Sequence, residues 1–159
     1  CCVFPRLDNN GPIFGVDVIA GKRKITGFFH DYSRTIEPNH AMISAFGEEV
    51  GKLEWRKERE LPEWAQAIFS PHMVAAGNVS KREELDQLLE LSLDSVDAYL
   101  TDIGNYNNEA DSDEVKAAQN RYAHYQKQNP HTPKTMTSLG LDEEDVRVFV
   151  QECLFPDID

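Results

Sequence analysis

Basic residues are scarce in this chain. Sixteen Lys and Arg stand against 28 Asp and Glu, for a formal net charge of -12 over 159 residues. Nucleic acid demands a basic footprint, and so does an anionic membrane surface, so neither is a predicted partner. Cysteine is scarce as well: Cys1, Cys2 and Cys153 form no C-x-x-C pair. So sparse and odd a count points to a reducing compartment, not to a disulfide scaffold or a zinc finger. No apolar run approaches the roughly 20 residues of a membrane span. There is no phosphate loop, no dinucleotide fingerprint and no G-x-S-x-G elbow, which removes three large enzyme classes. His40, His72 and His124 stand in no ligand spacing with Cys or an acid cluster, so no metal site is predicted. No signal or transit segment is visible, and any targeting signal is expected to lie upstream of residue 1. The chain opens on Cys1 inside a β-like run, and the expectation is one domain over 1–159 whose first strands lie upstream of residue 1.

What is present is organised around Pro12-Ile13-Phe14-Gly15-Val16-Asp17-Val18-Ile19-Ala20-Gly21. Its β-branched and aromatic residues, closed by Gly21, predict a strand. Asp17 interrupts the apolar run. Either this strand has one wet face and Asp17 points outward, or its carboxyl is buried, because a lone buried charge is too costly to leave ionised. Burial would keep a proton on it near neutrality and make a general acid.

Residues 1–5 read as the end of a strand stopped by Pro5, and Asp8-Asn9-Asn10-Gly11 as a turn. Ile25 to Tyr32 reads as the antiparallel partner of the Asp17 strand, since Gly21 to Lys24 is too short for a parallel crossover. A helix is expected over His40–Leu53 with Met42, Ile43, Phe46 and Val50 on one face. Glu54 to Glu60 reads as solvated, Leu61-Pro62-Glu63-Trp64 as the start of a short helical turn, and Phe69 to Ala76 as a strand. Ser80 and Glu83 have capping-box spacing ahead of a helix to about Asp102, with Leu85, Leu88, Leu89, Val96 and Tyr99 as core candidates. Gly104 to Asp111 is a polar loop. The next helix is expected over Asp113–Gln128, with Val115, Ala118, Tyr122 and Tyr125 on one face. Asp142 is read as the cap of a last helix carrying Val146, Phe149, Val150, Cys153 and Leu154. Strands come early and helices late, which predicts an α+β fold with an antiparallel sheet.

Among candidate sites, Gln126 to Thr132 is polar and broken by Pro130, and reads either as a substrate-facing bend or as an interhelix loop. His30 is a candidate proton donor. Strand alternation puts His30 and its neighbour Asp31 on opposite faces, so one of the two is expected to point to solvent. Trp55 and Trp64 read as packing residues.

Taken together, several segments resemble the ferredoxin-dependent bilin reductases, and among them the phycocyanobilin-forming members. Pro12 to Gly21 is similar to the family's P-[IL]-[FL]-G-x-D-[ILV] signature, and His30-Asp31-Tyr32-Ser33 to its continuation. Glu60-Leu61-Pro62-Glu63-Trp64 with Phe69-Ser70 resembles a further block. Gln119, Tyr122, Gln126, Asn129 and Thr132 fall in the family's Q-x-x-Y-x-x-x-Q-x-x-N-x-x-T register, and Leu154-Phe155 with Asp157 resembles its C-terminal end. The resemblance implies a three-layer α/β/α sandwich with a central antiparallel sheet. A biliverdin-type linear tetrapyrrole would lie between the sheet and the C-terminal helices. It also implies that the protein binds no metal or flavin cofactor of its own and takes electrons from reduced ferredoxin as its partner. A monomer is expected, in plastid stroma or cyanobacterial cytoplasm. Asp17 matches the family's catalytic Asp and would donate a proton. Thr26 matches a small polar pocket residue, and Gln126, Asn129, His131 and Thr132 would line the opposite wall.

The chain departs from the family pattern at three places. Pro130 stands where an acidic residue is usual, His131 stands where phycocyanobilin-forming members have Lys, and the Arg expected near Ala75-Ala76 is missing. Asp17 supports an enzyme, whereas Pro130 supports a homologue that holds a bilin without reducing it. An acidic interaction domain with no small-molecule site is the remaining reading.

Overall fold

The computed structural model describes residues 1–105 and 109–159. A four-stranded antiparallel sheet runs in the order β1 (Cys2–Val3), β2 (Ile13–Ala20), β3 (Ile25–Ser33), β4 (Val74–Val79). β2 and β3 form the expected hairpin, closed where Gly21 N–H donates to the Lys24 carbonyl at 2.8 Å. Their register pairs Asp17 with Phe29 and Gly15 with Asp31.

Two layers of helix cover the sheet, so the fold is the α/β/α sandwich the resemblance implied. On one face lie α1 (Ala41–Val50) and α3 (Arg82–Asn105). Phe14, Phe28, Tyr32, Val74 and Ala76 meet Met42, Ile43, Phe46, Leu88, Leu91 and Tyr99 there in the main core. Tyr32 stacks on Phe46 with ring centres 4.5 Å apart and planes 6° from parallel. On the other face lie α2 (Glu63–Gln66) and α4 (Ser112–Gln126), where Ile13, Ile68 and Tyr122 form a smaller core. Beyond α4 follow α5 (His131–Ser138), α6 (Glu143–Val148) and a π-helical segment over Phe149–Leu154.

Several expectations move. His40 is not the first residue of α1 but its cap, accepting Met42 N–H on Nδ1 at 3.2 Å. The fourth strand is Val74–Val79, later than the predicted Phe69–Ala76. Residues 69–72 are held in a turn instead, because Ser70 bonds to Asp31 and Ser70 Oγ accepts His72 N–H at 3.1 Å. The side chains of 56–60 are exposed as predicted, yet the backbone pairs with β4: Arg59 N–H donates to Ala75 O and Gly77 N–H to Lys57 O, both at 2.8 Å.

α3 runs three residues further than expected, and Leu89 is 55% exposed, because the face toward the sheet carries Leu88, Leu91, Ser95 and Tyr99. Of the polar loop predicted over 104–111, residues 106–108 lie outside the described residues. Asp111 caps α4. α5 has no counterpart among the expected elements, which stop at the polar bend over Gln126–Thr132. Pro133 is tolerated because it sits in the first turn, where backbone N–H groups need no helical partner. The last helix does not keep one face: Asp142 caps it as predicted, but the π-helical turn rotates the pattern. Val146 and Val150 are buried, whereas Phe149 and Cys153 are exposed.

Candidate functional site

Strand alternation sends Ile13, Gly15, Asp17, Ile19, Phe29 and Asp31 to the face opposite the main core. Near the hairpin this face lacks helix cover and borders a cleft of about 640 Å³. Its sheet wall is Asp17, Ile19, Thr26 and Phe29. The approach to α2 supplies Arg59, Glu60, Leu61 and Trp64, and the turn beyond α2 supplies Phe69 and Met73. The far wall is Asn129 with His131, Thr132, Thr135 and Met136 of α5. A volume of this size, mostly apolar with a few convergent polar groups, suits a sizeable organic ligand.

Thr26 reaches the cleft through a bulge. The register slips between Ile19 and Ala20, which pair with Gly27 and Ile25, so Thr26 has no residue opposite. Its hydroxyl donates to the Ile19 carbonyl at 3.0 Å. Asn129 opens α5 by accepting His131 N–H on Oδ1 at 2.9 Å. That leaves its Nδ2 as a donor on a residue that lines the cleft. His131 is exposed and Thr132 half-buried.

Thus the structure gathers Asp17, Thr26, Asn129, His131 and Thr132 around one cleft. Gln126 is not among the lining residues. Its Nε2 donates to Tyr122 Oη at 2.8 Å, beneath the wall. Tyr122 is buried, its Oη 3.6 Å from Cys2 Sγ and 3.7 Å from where a Cβ on Gly15 would stand.

Of the two readings of Asp17, the wet face holds in the free protein: its side chain is exposed and faces the open cleft. The buried carboxyl is Asp31, 1% exposed and, among the described residues, in no ion pair. It accepts from Ser70 N–H at 2.9 Å, Ser70 Oγ at 2.5 Å and Ser33 Oγ at 2.7 Å. Burial pushes its pKa up, and these hydrogen bonds pull against that. His30, the other candidate proton donor, is on the wrong side. It lies fully buried in the main core, with Nδ1 2.7 Å from Gly15 O and Nε2 2.6 Å from Ser95 Oγ.

A second cleft, of about 520 Å³, opens between α1 and α3. Glu48, Glu49, Glu90 and Asp94 line it, and its one basic lining residue, Lys52, is paired with Glu49 at 2.6 Å. The cleft beside Asp17 has the mixed polar groups that the acidic one lacks.

Comparison with known proteins settles the family. The sequence model of the ferredoxin-dependent bilin reductases matches residues 1–156. This chain belongs to that family. It is 25% identical to the phycocyanobilin:ferredoxin oxidoreductase of Gloeobacter violaceus over 168 aligned residues, covering 98% of this chain and 62% of that protein. Its fold is similar to the solved structure of PcyX, at 31% identity and a TM-score of 0.68, covering 99% of this chain and 65% of the other. The chain therefore spans somewhat less than two thirds of each relative.

In this bilin reductase relative, reading the sequence missed Phe29, Arg59, Trp64 and Met136 as cleft residues. Phe29 was within reach, since it shares Asp17's face by alternation. Arg59 and Met136 were not: Arg59 stands in a stretch that reads as solvated, and no element is predicted over 133–138. Among the described residues no group of three His, Cys, Asp or Glu is placed to hold a metal, and no helix is long and apolar enough to cross a membrane.

Proposed function

We propose that this chain carries the pigment site of an enzyme that reduces a biliverdin-type linear tetrapyrrole with electrons from reduced ferredoxin. The observation that carries this reading is the placement of Asp17. It stands on the sheet wall opposite α5, directly across the strand pair from Phe29. A flat apolar pigment in the cleft would cover Asp17 and take water from it. Each double bond reduced takes two electrons, delivered one at a time by ferredoxin, and two protons. Asp17 gives the first proton to the pigment radical, its carboxylate recovers a proton from water at the cleft mouth, and Asp17 then gives the second. Asn129 Nδ2 donates to a lactam oxygen, while Thr26, His131 and Thr132 hold the pigment's polar edge. Gln126 acts on the wall through Tyr122.

The alternative, a bilin-holding homologue, is favoured by Pro130, a position that offers no acid. An anaerobic absorbance titration with biliverdin, followed by reduced ferredoxin, separates the two. Enzyme activity appears as a binding shift and then bleaching toward a shorter chromophore. Asp17→Asn is expected to bind pigment within about twofold of wild type and to lose turnover by about 10²-fold or more, the usual worth of a positioned proton donor. Unchanged turnover in Asp17→Asn removes Asp17 from the chemistry. Binding without bleaching in the wild type establishes the holding protein.

A further inference from the structure

We propose that the outward face of α3 docks a basic amphipathic helix of a partner protein. Leu89, Leu93, Val96 and Leu100 recur at intervals of four, three and four residues. On a helix of 3.6 residues per turn that spacing gathers them within an arc of about 60°. Leu89, Leu93 and Leu100 are 55%, 59% and 62% exposed, whereas Val96 is half-buried at the edge of the main core. A different face, with Leu88, Leu91, Ser95 and Tyr99, holds α3 on the sheet. The leucine row is therefore not part of that attachment. It extends along the helix for about 16 Å. A single exposed leucine needs no explanation, but a contiguous row of them marks an interaction surface.

The flank of this row fixes the chemistry of the partner. Asp86, Glu90, Asp94 and Asp97 stand along one side of the leucines. Glu90 and Asp94 also border the cleft of about 520 Å³, to which α1 adds Glu48 and Glu49. Past Arg82, which is paired with Asp86 at 2.8 Å, α3 carries no basic residue. An antiparallel pair of α3 helices from two copies of this chain would set acid against acid, and a parallel pair would find no base on either flank. Like charges across an interface oppose both pairings. A helix with Lys or Arg beside its own apolar stripe meets both features. Heptad spacing interlocks helix with helix, and the flanking charges select the partner. α3 covers the sheet face opposite the Asp17 cleft, so such a partner leaves that cleft open.

The test uses two labelled synthetic peptides of about 20 residues and the same composition, titrated by fluorescence anisotropy. One carries Leu at heptad spacing with Lys beside it, and the other holds the same residues in scrambled order. At about 0.15 M salt, where loose charge attraction is screened, the chain is expected to bind the first at least about tenfold more tightly. Leu93→Glu with Leu100→Glu is expected to weaken that binding about tenfold, although the added negative charge would strengthen plain charge attraction. Glu90→Lys with Asp97→Lys is expected to weaken it by a similar factor with the leucines intact. All four positions are exposed, so thermal melts of both variants are expected to match wild type. Should the leucine variant fail to fold, the charge variant and the scrambled peptide decide. Equal affinity for the two peptides overturns the proposal, as does unchanged affinity in a folded variant of either kind. A wild-type dimer in sedimentation that Leu93→Glu dissolves also overturns it, since a second copy would then cover the face.

Discussion

His30 and Asp31 are neighbours in the chain and lie on opposite faces of the same strand, each fully buried and each titratable. His30 is enclosed by Phe14, Phe28, Tyr32 and Phe46 in the main core. Asp31 is enclosed by Ser33 and Ser70 under the cleft. A carbonyl only accepts, so the contact with Gly15 places the His30 proton on Nδ1, while Nε2 lies 2.6 Å from Ser95 Oγ. One strand therefore carries two groups whose responses to acid have opposite signs.

Burial pushes the His30 pKa down from 6.5 to about 4. The unfolded chain then binds the extra proton first. The contribution of His30 is complete above pH 6.5 and is lost as pH falls toward 4, by up to about 3 kcal/mol. Urea midpoints between pH 4 and 7.5 are expected to fall with acid. His30→Gln, though less stable at neutrality, is expected to fall less steeply. Parallel curves for the two proteins would remove His30 as a source of acid lability.

Asp31 has the other sign. Its raised pKa means that its folded-state stability is greatest while protonated and declines as pH rises through the folded value. Asp31→Asn keeps an acceptor oxygen and no longer titrates, so its deficit against wild type is expected to shrink as pH rises. Asp31→Ala strands three donors and is expected to cost about 2–3 kcal/mol. It also frees the turn that brings Phe69 and Met73 to the cleft, so pigment affinity is expected to fall with stability. Urea melts across pH and a biliverdin titration check both. A deficit independent of pH would contradict the assignment.

These two residues also show what could be read without coordinates. Alternation assigned His30 and Asp31 to opposite faces, and a short connection made β2 and β3 a hairpin, since both follow from local geometry. Depth did not follow. Asp17 and Asp31 share a face, and which one is buried depends on Ser70, a residue 39 positions from Asp31. The same limit explains the displaced β4, whose predicted start is held in a turn by that contact. It also explains Leu89, which has helical spacing but faces away from the sheet. Thr26 was placed at the pocket by the family resemblance alone, since hydrophobic period reports neither the bulge that turns it to the cleft nor α5 behind its first-turn proline.

The turn between β2 and β3 carries Lys22, Arg23 and Lys24, all exposed, next to the cleft residues Ile19 and Thr26. Arg56 is paired with Glu84 and Arg59 lies in the cleft, so the turn is the better candidate for meeting an acidic electron donor. Lys22→Glu with Arg23→Glu is expected to raise the KM for ferredoxin about tenfold, more at low salt, and to leave biliverdin affinity unchanged. An unaltered KM at low ionic strength would place docking elsewhere.

Gln126 and Tyr122 form the contact that decides how the C-terminal wall is held. Tyr122 is packed edge-on against Phe4, Phe69 and Phe155, so its hydroxyl has little room to move. Gln126 Nε2 donates to that hydroxyl from one turn along α4. Tyr122→Phe leaves the amide without its acceptor, and Gln126→Ala leaves the hydroxyl without its donor. Each is expected to cost about 1 kcal/mol, and the double variant little more than the worse single one. If Gln126 acts only through Tyr122, both single variants weaken biliverdin binding alike. If Gln126 also touches the pigment, Gln126→Ala weakens binding well beyond Tyr122→Phe at similar stability, and the residue returns to the lining wall that the sequence first assigned it.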